Sequence, residues 1–476
     1  MLKPTFVDKI SRRNNLFLAF AAIIGAAAAI LLAKSDLPLT LASFFLLILI
    51  VIFVLVMEFR QKHIDIFNPI FLISFLFFYY YVMPLFDRLV LFKLFPKDIM
   101  LKDLFFMELR PEDDYIVFKT VMACILGVFM FYVGYYSEIG RRLASALPLQ
   151  KSVTMSKFRN MGLTYLFIGA TITTLLVTDV GGIETYISLH WARRFFYSSY
   201  VTNYLLYFHR LLLITSIISL FVYVSVKKSV TVKILWFMLT VVFLVYFMFE
   251  GGRRIIVELI ISLLIVRHYT VKRISLPKIS FAGALLFLLV PVLDVFRSTV
   301  HLGFHEFKRY LLDADISLLL RYNTEYNGAF GVLINVVDKV PQEIDYFYGI
   351  SFIRPLFAII PRPIWPEKPL EVSQIMAHYL YPKEVGLSVA STVVGEAYFN
   401  LGYAAIIIAM FTFGVFSKAI YIYLQRNTRN SSTILVYACV FPFIFEFLRG
   451  PISGGMLLII SQLFLLLPII KLVRKE

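Results

Sequence analysis

Apolar tracts close to the length that crosses a bilayer recur along this chain from Leu16 almost to the C-terminus, and the polar stretches between them are short. A helix crossing hydrocarbon needs about 20 residues, because each adds only about 1.5 Å. Tracts that meet or approach this length predict about twelve helical spans. Two stretches fit less easily. Ile255 to Val266 is short for a span and contains Glu258, although Arg253, Arg254 and Arg267 are placed to extend it by snorkelling. Ser388 to Asn400 reads either as the beginning of a span or as a re-entrant segment, because Gly395, Glu396 and Asn400 are costly in lipid unless they face a cavity.

Composition fixes the class. Sixty per cent of the 476 residues are hydrophobic and the mean hydropathy is +0.82, well above water-soluble domains. The expected fold is therefore all-α, a single polytopic membrane domain over residues 1–476, with no long polar block to divide it. Leu16 to Ala33 follows a basic start and has the form of a signal peptide, but another apolar tract follows almost at once, so it is expected to remain as the first span. The two cysteines, Cys124 and Cys439, both lie inside apolar tracts, which argues against a disulfide framework or a thiol metal site.

The net charge of +16 could suggest a nucleic-acid binder, but the basic residues of such a protein would gather on one solvated face. Here they fall in short clusters between apolar tracts, the pattern of loops retained in the cytoplasm. Arg141, Arg142, Lys151, Lys157 and Arg159 form one such cluster; Lys227, Lys228 and Lys233 form another; Arg426 and Arg429 belong to a third. An even number of spans then places both termini in the cytoplasm of a bacterial inner-membrane protein. The three longest non-spanning segments come out on the opposite side: Asp87 to Asp114, Asp179 to Tyr204, and Asp294 to about Val389. The last, residues 294–389, is expected to form a periplasmic loop folded as a helical cap, being too amphipathic for a linker.

Several arginines run against this charge rule and fall at one level, the outer boundary: Arg253 and Arg254 after Gly251-Gly252, Arg297, Arg354, Arg362 and Arg449. Each alone is explained by snorkelling or by a carboxylate partner. Together they favour an anion, and guanidinium forks onto phosphate oxygens, so a membrane-boundary diphosphate fits the set. From Arg354 to Pro369 there are five prolines in sixteen residues, a stiff segment that presents Arg362, Trp365 and Lys368. Trp365 reads as an interfacial anchor or a platform for a sugar ring; Arg362 and Lys368 read as phosphate or sugar contacts, or as solvated charges. Glu396 and Asn400 are four apart and share a helix face, with Tyr398 between them. Glu396 suits a general base on an acceptor hydroxyl or a structural partner for an arginine, with Glu250 and Asp294 as rivals. His301 and His305 are four apart with Glu306 beside them, but no third ligand is evident and the order is not that of a zinc protease, and Asp313-Ala314-Asp315 reads as a solvated face, so no metal is expected. Trp191, Arg193 and Arg194 read as polysaccharide contacts or as headgroup neighbours.

At these residues the chain resembles the oligosaccharide repeat-unit polymerases of the O-antigen polymerase (Wzy) type, including the enterobacterial common antigen polymerases. The likeness lies in the order of Gly251-Gly252-Arg253-Arg254, then Ile360-Pro361-Arg362-Pro363-Ile364-Trp365-Pro366-Glu367-Lys368-Pro369, then Gly395-Glu396-Ala397-Tyr398-Phe399-Asn400-Leu401-Gly402, and finally Arg449. The resemblance implies a GT-C-like glycosyltransferase that polymerises undecaprenyl-diphosphate-linked repeat units into a surface polysaccharide, without a cofactor or nucleotide sugar. By this analogy the arginines stabilise the departing diphosphate, and the candidate catalytic residues are Arg254, Arg362 and Glu396. Arg253, Arg297, Arg354, Trp365, Lys368, Tyr398, Asn400 and Arg449 would bind substrate. Its partners would be lipid-linked donor and acceptor, membrane lipids, and a chain-length regulator and flippase of the same pathway. The alternatives are an O-antigen ligase acting on lipid A core, which shares the donor, and a flippase or exporter, which should show internal repeats that this chain lacks.

Overall fold

The structure, a computed structural model, describes residues 37–60, 64–86, 111–179, 181–186 without 184, 200–250 without 228, 253–283, 325–357, 364–382 and 388–470, with a few isolated positions between them. The described residues are helical and contain no strand. Among the described residues, eight helices are long and apolar enough to cross a membrane. In chain order the helices used below are α1 (Pro38–Phe59), α2 (Pro69–Phe86), α3 (Asp114–Tyr136), α4 (Glu138–Ala146), α5 (Met155–Asp179), α6 (Tyr200–Val226), α7 (Val230–Phe249) and α8 (Arg253–Thr270). They continue with α9 (Glu325–Lys339), α10 (Ile350–Phe357), α11 (Val372–Leu380), α12 (Thr392–Arg426), α13 (Ser431–Arg449) and α14 (Ile452–Leu466). The eight spans are α1, α2, α3, α5, α6 from Phe208, α7, α12 and α13. The first expected span, Leu16 to Ala33, lies outside the described residues.

Contacts divide the chain into two compact units. The first holds α1 to α3, α9 and α12 up to Ser417. Asp114 at the start of α3 accepts hydrogen bonds from the amides of Leu39 (3.2 Å) and Thr40 (2.9 Å), so it supplies the cap that Leu37 cannot give α1. At the other end Tyr136 donates to Glu58 (2.7 Å), so α1 and α3 run parallel with α2 as the return. Backbones meet directly where α3 crosses α12. A Cβ on Gly134 would lie 2.1 Å from the Phe411 carbonyl oxygen, and one on Gly414 would lie 2.1 Å from that of Phe131. Small residues at such crossings are how helices pack in lipid, where apolar area alone gives no drive to associate. Within the 294–389 segment, α9 is buried almost throughout from Ala329 to Val340 and packs against α2 and α3.

The second unit holds α4 to α8, α10, α11, α13 and α14. Ser219 donates to the Phe158 carbonyl (2.8 Å) while a Cβ on Gly169 would meet Leu213, so α5 and α6 are antiparallel. Trp236 stacks on Phe221 (4.4 Å between centroids) and Arg210 reaches Glu250, so α6 and α7 are antiparallel as well. Tyr269 meets Tyr437 while Arg254 meets Glu446, which sets α8 antiparallel to α13. Consequently the start of α6, the end of α7, the start of α8 and the end of α13 share one end of this unit. The basic loops with Lys151, Lys157, Lys227 and Arg426 flank the opposite helix ends.

Candidate functional site

At the first of these ends, four helices bring charged side chains from distant parts of the chain together. Arg254, on the first turn of α8, donates through Nη1 to Glu446 Oε2 at 2.8 Å, and its Nε lies 3.4 Å from Glu258 Oε1. Both glutamates are buried, at 5% exposure each. Arg449, three residues beyond Glu446 on α13, is close enough for its charge to repel that of Arg254. One guanidinium is therefore held against two carboxylates with a second guanidinium nearby, and Glu446 Oε1 and Glu258 Oε1 accept no hydrogen bond among the described residues. A buried oxygen left in that state costs about 1–3 kcal/mol, so the cluster is built with hydrogen-bonding capacity in reserve.

Next to it, across the Gly251-Gly252 connection, Glu250 caps α7 and is almost wholly buried. Tyr186 (2.8 Å) and Tyr246 (2.9 Å) donate to its Oε1, and Arg210 Nε donates to its Oε2 at 2.8 Å. His209 Nε2 stands 3.2 Å from Oε1. Glu250 is thus a thoroughly occupied carboxylate and is poorly disposed to act as a base.

The proline-rich segment is braced from within. Arg354 donates to Glu371 Oε1 (2.6 Å), to the Pro369 carbonyl (3.2 Å) and to Ser453 Oγ on α14 (3.5 Å), joining α10, the loop and α11 to the same end of the unit. Lys368 donates to the Ile360 carbonyl (2.9 Å), and the ring of Trp365 packs on Phe357 at 5.2 Å. Arg354 and Lys368 therefore spend their donors on holding the loop.

In the first unit, α12 is broken. Leu401 and Gly402 leave the helical region, Gly402 with φ 62° and ψ −143°, a conformation open to glycine and strained for other residues. The carbonyls exposed by the break are taken up by the loop after α9: Phe347 N–H donates to Phe399 (2.9 Å) and Tyr348 N–H to Asn400 (3.1 Å). The half-helix Thr392 to Asn400 carries Glu396 and Asn400, both fully buried, and Asn400 Nδ2 donates to the Glu396 carbonyl at 2.7 Å. Tyr398 packs edge-on against Tyr403 at 5.3 Å. A helix interrupted inside an apolar tract, with its loose carbonyls satisfied by protein, is the form irregular backbone takes where it lines a buried site.

The sequence-derived residues thus fall into three groups. Arg254 and Arg449 come together; Arg354, Trp365 and Lys368 build the loop; Glu396, Tyr398 and Asn400 share the half-helix of the first unit. Arg297, Arg362, Asp294, His301, Glu306, Asp313, Asp315, Trp191, Arg193 and Arg194 lie outside the described residues, as does the side chain of Arg253. Glu446, His209 and Arg210 are missing from the sequence-derived set. The signal for each was a polar or charged residue inside an otherwise apolar tract.

No protein of curated function and no solved structure matches the chain significantly. A family model, that of the O-antigen polysaccharide polymerase Wzy, matches residues 15–475, nearly its whole length. With its many membrane-crossing helices, the chain belongs to the O-antigen polysaccharide polymerase Wzy family, and is a multi-pass inner-membrane polymerase of O-antigen synthesis.

Proposed function

We propose that the enzyme joins undecaprenyl-diphosphate-linked repeat units on the periplasmic side of the inner membrane. The growing glycan leaves one lipid carrier for the terminal sugar of an incoming unit. The bond from the anomeric carbon to the diphosphate oxygen breaks, and the diphosphate departs with the electron pair. The bond from that carbon to the acceptor hydroxyl oxygen forms, and the hydroxyl proton passes to a carboxylate. Arg254 and Arg449 stabilise the departing charge, joined in this reading by Arg253, Arg297 and Arg362, and Glu396 is the candidate base. Arg354, Lys368 and Trp365 hold the proline-rich loop over the site, and Tyr398 and Asn400 contact sugar. One observation carries the reading: in a chain matched by this family over nearly its whole length, Arg254 and Arg449 come together beside a half-occupied Glu446.

The side follows from charge. The helix ends that carry Arg254 and Arg449 are opposite those flanked by Lys151, Lys157, Lys227 and Arg426, and loops rich in lysine and arginine stay in the cytoplasm. Both termini are then cytoplasmic. A flippase and a chain-length regulator of the same pathway are the expected partners. The test is polymer formation by purified protein in nanodiscs given only undecaprenyl-diphosphate repeat unit, with Arg254→Ala and Arg362→Ala alongside. A ladder that disappears in the variants supports the reading; transfer seen only when lipid A core is added makes the protein a ligase.

A further inference from the structure

We infer that Arg210, aimed by Glu250, is a further diphosphate-binding residue of this enzyme, and that Tyr186, Tyr246 and His209 position it through Glu250. The inference rests on the diphosphate-linked donor proposed above. It starts from how the Arg210–Glu250 pair is made. An arginine whose task is to neutralise a buried carboxylate normally engages it with two parallel hydrogen bonds. Here the engagement has one prong, Nε to Oε2 at 2.8 Å. Among the described residues Nη1 and Nη2 have no partner, and the Arg210 side chain is 26% exposed while that of Glu250 is 1% exposed. The fork of the guanidinium is thus left on the accessible side of the pair.

The other carboxylate oxygen shows why the fork stays there. Oε1 receives both phenols, and His209 Nε2 lies beside it and beside Tyr246 Oη (3.0 Å). His209 Nδ1 faces the Leu205 carbonyl at 3.2 Å; a carbonyl only accepts, so Nδ1 carries a proton. With Oε1 occupied, Arg210 reaches Glu250 only at Oε2, and the carboxylate is pinned from α6, α7 and the Tyr186 segment. Neutralising one arginine does not require this many buried donors; fixing its direction does. The location suits the purpose, because Glu250 caps the end of α7 and Arg254 lies on the first turn of α8, only four residues on in the chain, so Arg210 and the Arg254–Arg449 pair belong to the same end of this unit. An end-on guanidinium fork takes two phosphate oxygens, which lysine cannot do.

The experiment is the polymerisation assay in nanodiscs with undecaprenyl diphosphate added as competing product, run on wild type, Arg210→Lys, Tyr246→Phe and the double variant Arg210→Gln/Glu250→Gln. The double variant removes cation and carboxylate together, so no lone charge is left buried, and its melting temperature reports its fold. Inhibition by undecaprenyl diphosphate is expected to weaken about ten- to a hundredfold in the double variant and at least several-fold in Arg210→Lys. Tyr246→Phe should raise KM a few-fold with kcat retained, the mark of a residue acting through Arg210's position. A folded double variant as sensitive to undecaprenyl diphosphate as wild type would overturn the inference, since Arg210 would then serve only to neutralise Glu250, while the polymer ladder would leave the wider reading intact. Wild-type protein that makes no polymer and ignores undecaprenyl diphosphate would overturn the diphosphate reading and this inference with it.

Discussion

Replacing Gly134 by alanine tests the crossing on which the first unit is built. The added methyl carbon would stand 2.1 Å from the Phe411 carbonyl oxygen, 2.9 Å from its carbon and 3.0 Å from its Cα, whereas ordinary contact begins at 3.4 Å. These are backbone atoms of α12, so no side chain can swing away, and the helices must part by about 1 Å or more. Forced separation of a packed interface costs about 1–3 kcal/mol, and because the clash is with backbone that cannot swing aside, the upper part of that range applies. The measurement is the apparent melting temperature of purified protein in detergent, with a fall of several degrees expected. Gly283→Ala is the control, because a Cβ there meets nothing within 4 Å and alanine favours a helix by about 1 kcal/mol. Gly414→Ala should match Gly134→Ala, and the double variant should lose less than the sum, because one separation accommodates both methyls. An unchanged melting temperature for Gly134→Ala, or strict additivity in the pair, would refute the direct backbone contact.

Gly402→Ala forces an L-residue into φ 62° and ψ −143° and sets its Cβ 3.0 Å from Tyr346 Oη; a loss of about 1–3 kcal/mol and a sharp fall in polymer yield are expected from thermal melts and ladder assays. Arg254→Ala strands Glu446 and Glu258 and should cost about 1–3 kcal/mol; adding Glu446→Gln should recover melting temperature but not polymer. Arg354→Ala releases Pro369 and Glu371, so limited proteolysis should cut between α10 and α11 faster than in wild type while the spans stay intact.

The spans were legible because their signal is length and apolarity, which need no knowledge of partners. Ser388 to Asn400 was legible as an irregularity for the same reason: glycine, glutamate and asparagine inside an apolar tract must be accommodated somehow. Sequence left two accounts of it, the start of a span or a re-entrant segment; from Thr392 it opens α12, a helix long and apolar enough to cross a membrane, with a break at Leu401-Gly402 where the Phe347 and Tyr348 amides arrive. The buried course of α9 was not legible. Its apolar run from Ala329 to Val340 is too short to read as a span, and only the packing of α2 and α3 around it reveals where it goes. Arg354 illustrates the limit for single residues. Its setting among prolines was visible, but its partners Glu371 and Ser453 are brought to it by folding.

The same limit explains why counting arginines is a weaker guide to the site than it first appeared. At the shared end of the second unit, Arg210, Arg254, Arg354 and Arg449 stand among as many glutamates, Glu250, Glu258, Glu371 and Glu446. Sequence displays Arg254, Arg354 and Arg449 at visible positions and leaves Arg210, Glu258 and Glu446 inside apolar tracts, where each reads as an isolated cost. Charge alone therefore does not separate an anion site from a set of ion pairs here. Hydrogen-bonding capacity does. Arg354 turns Nε and Nη1 onto Pro369, Glu371 and Ser453, whereas Arg210 commits Nε alone and keeps a fork directed outward, and Glu446 keeps an oxygen without a donor. A diphosphate leaving between Arg210 and Arg254 would find donors already oriented by carboxylates on the far side, and that prior orientation gives an arginine most of its effect on developing charge.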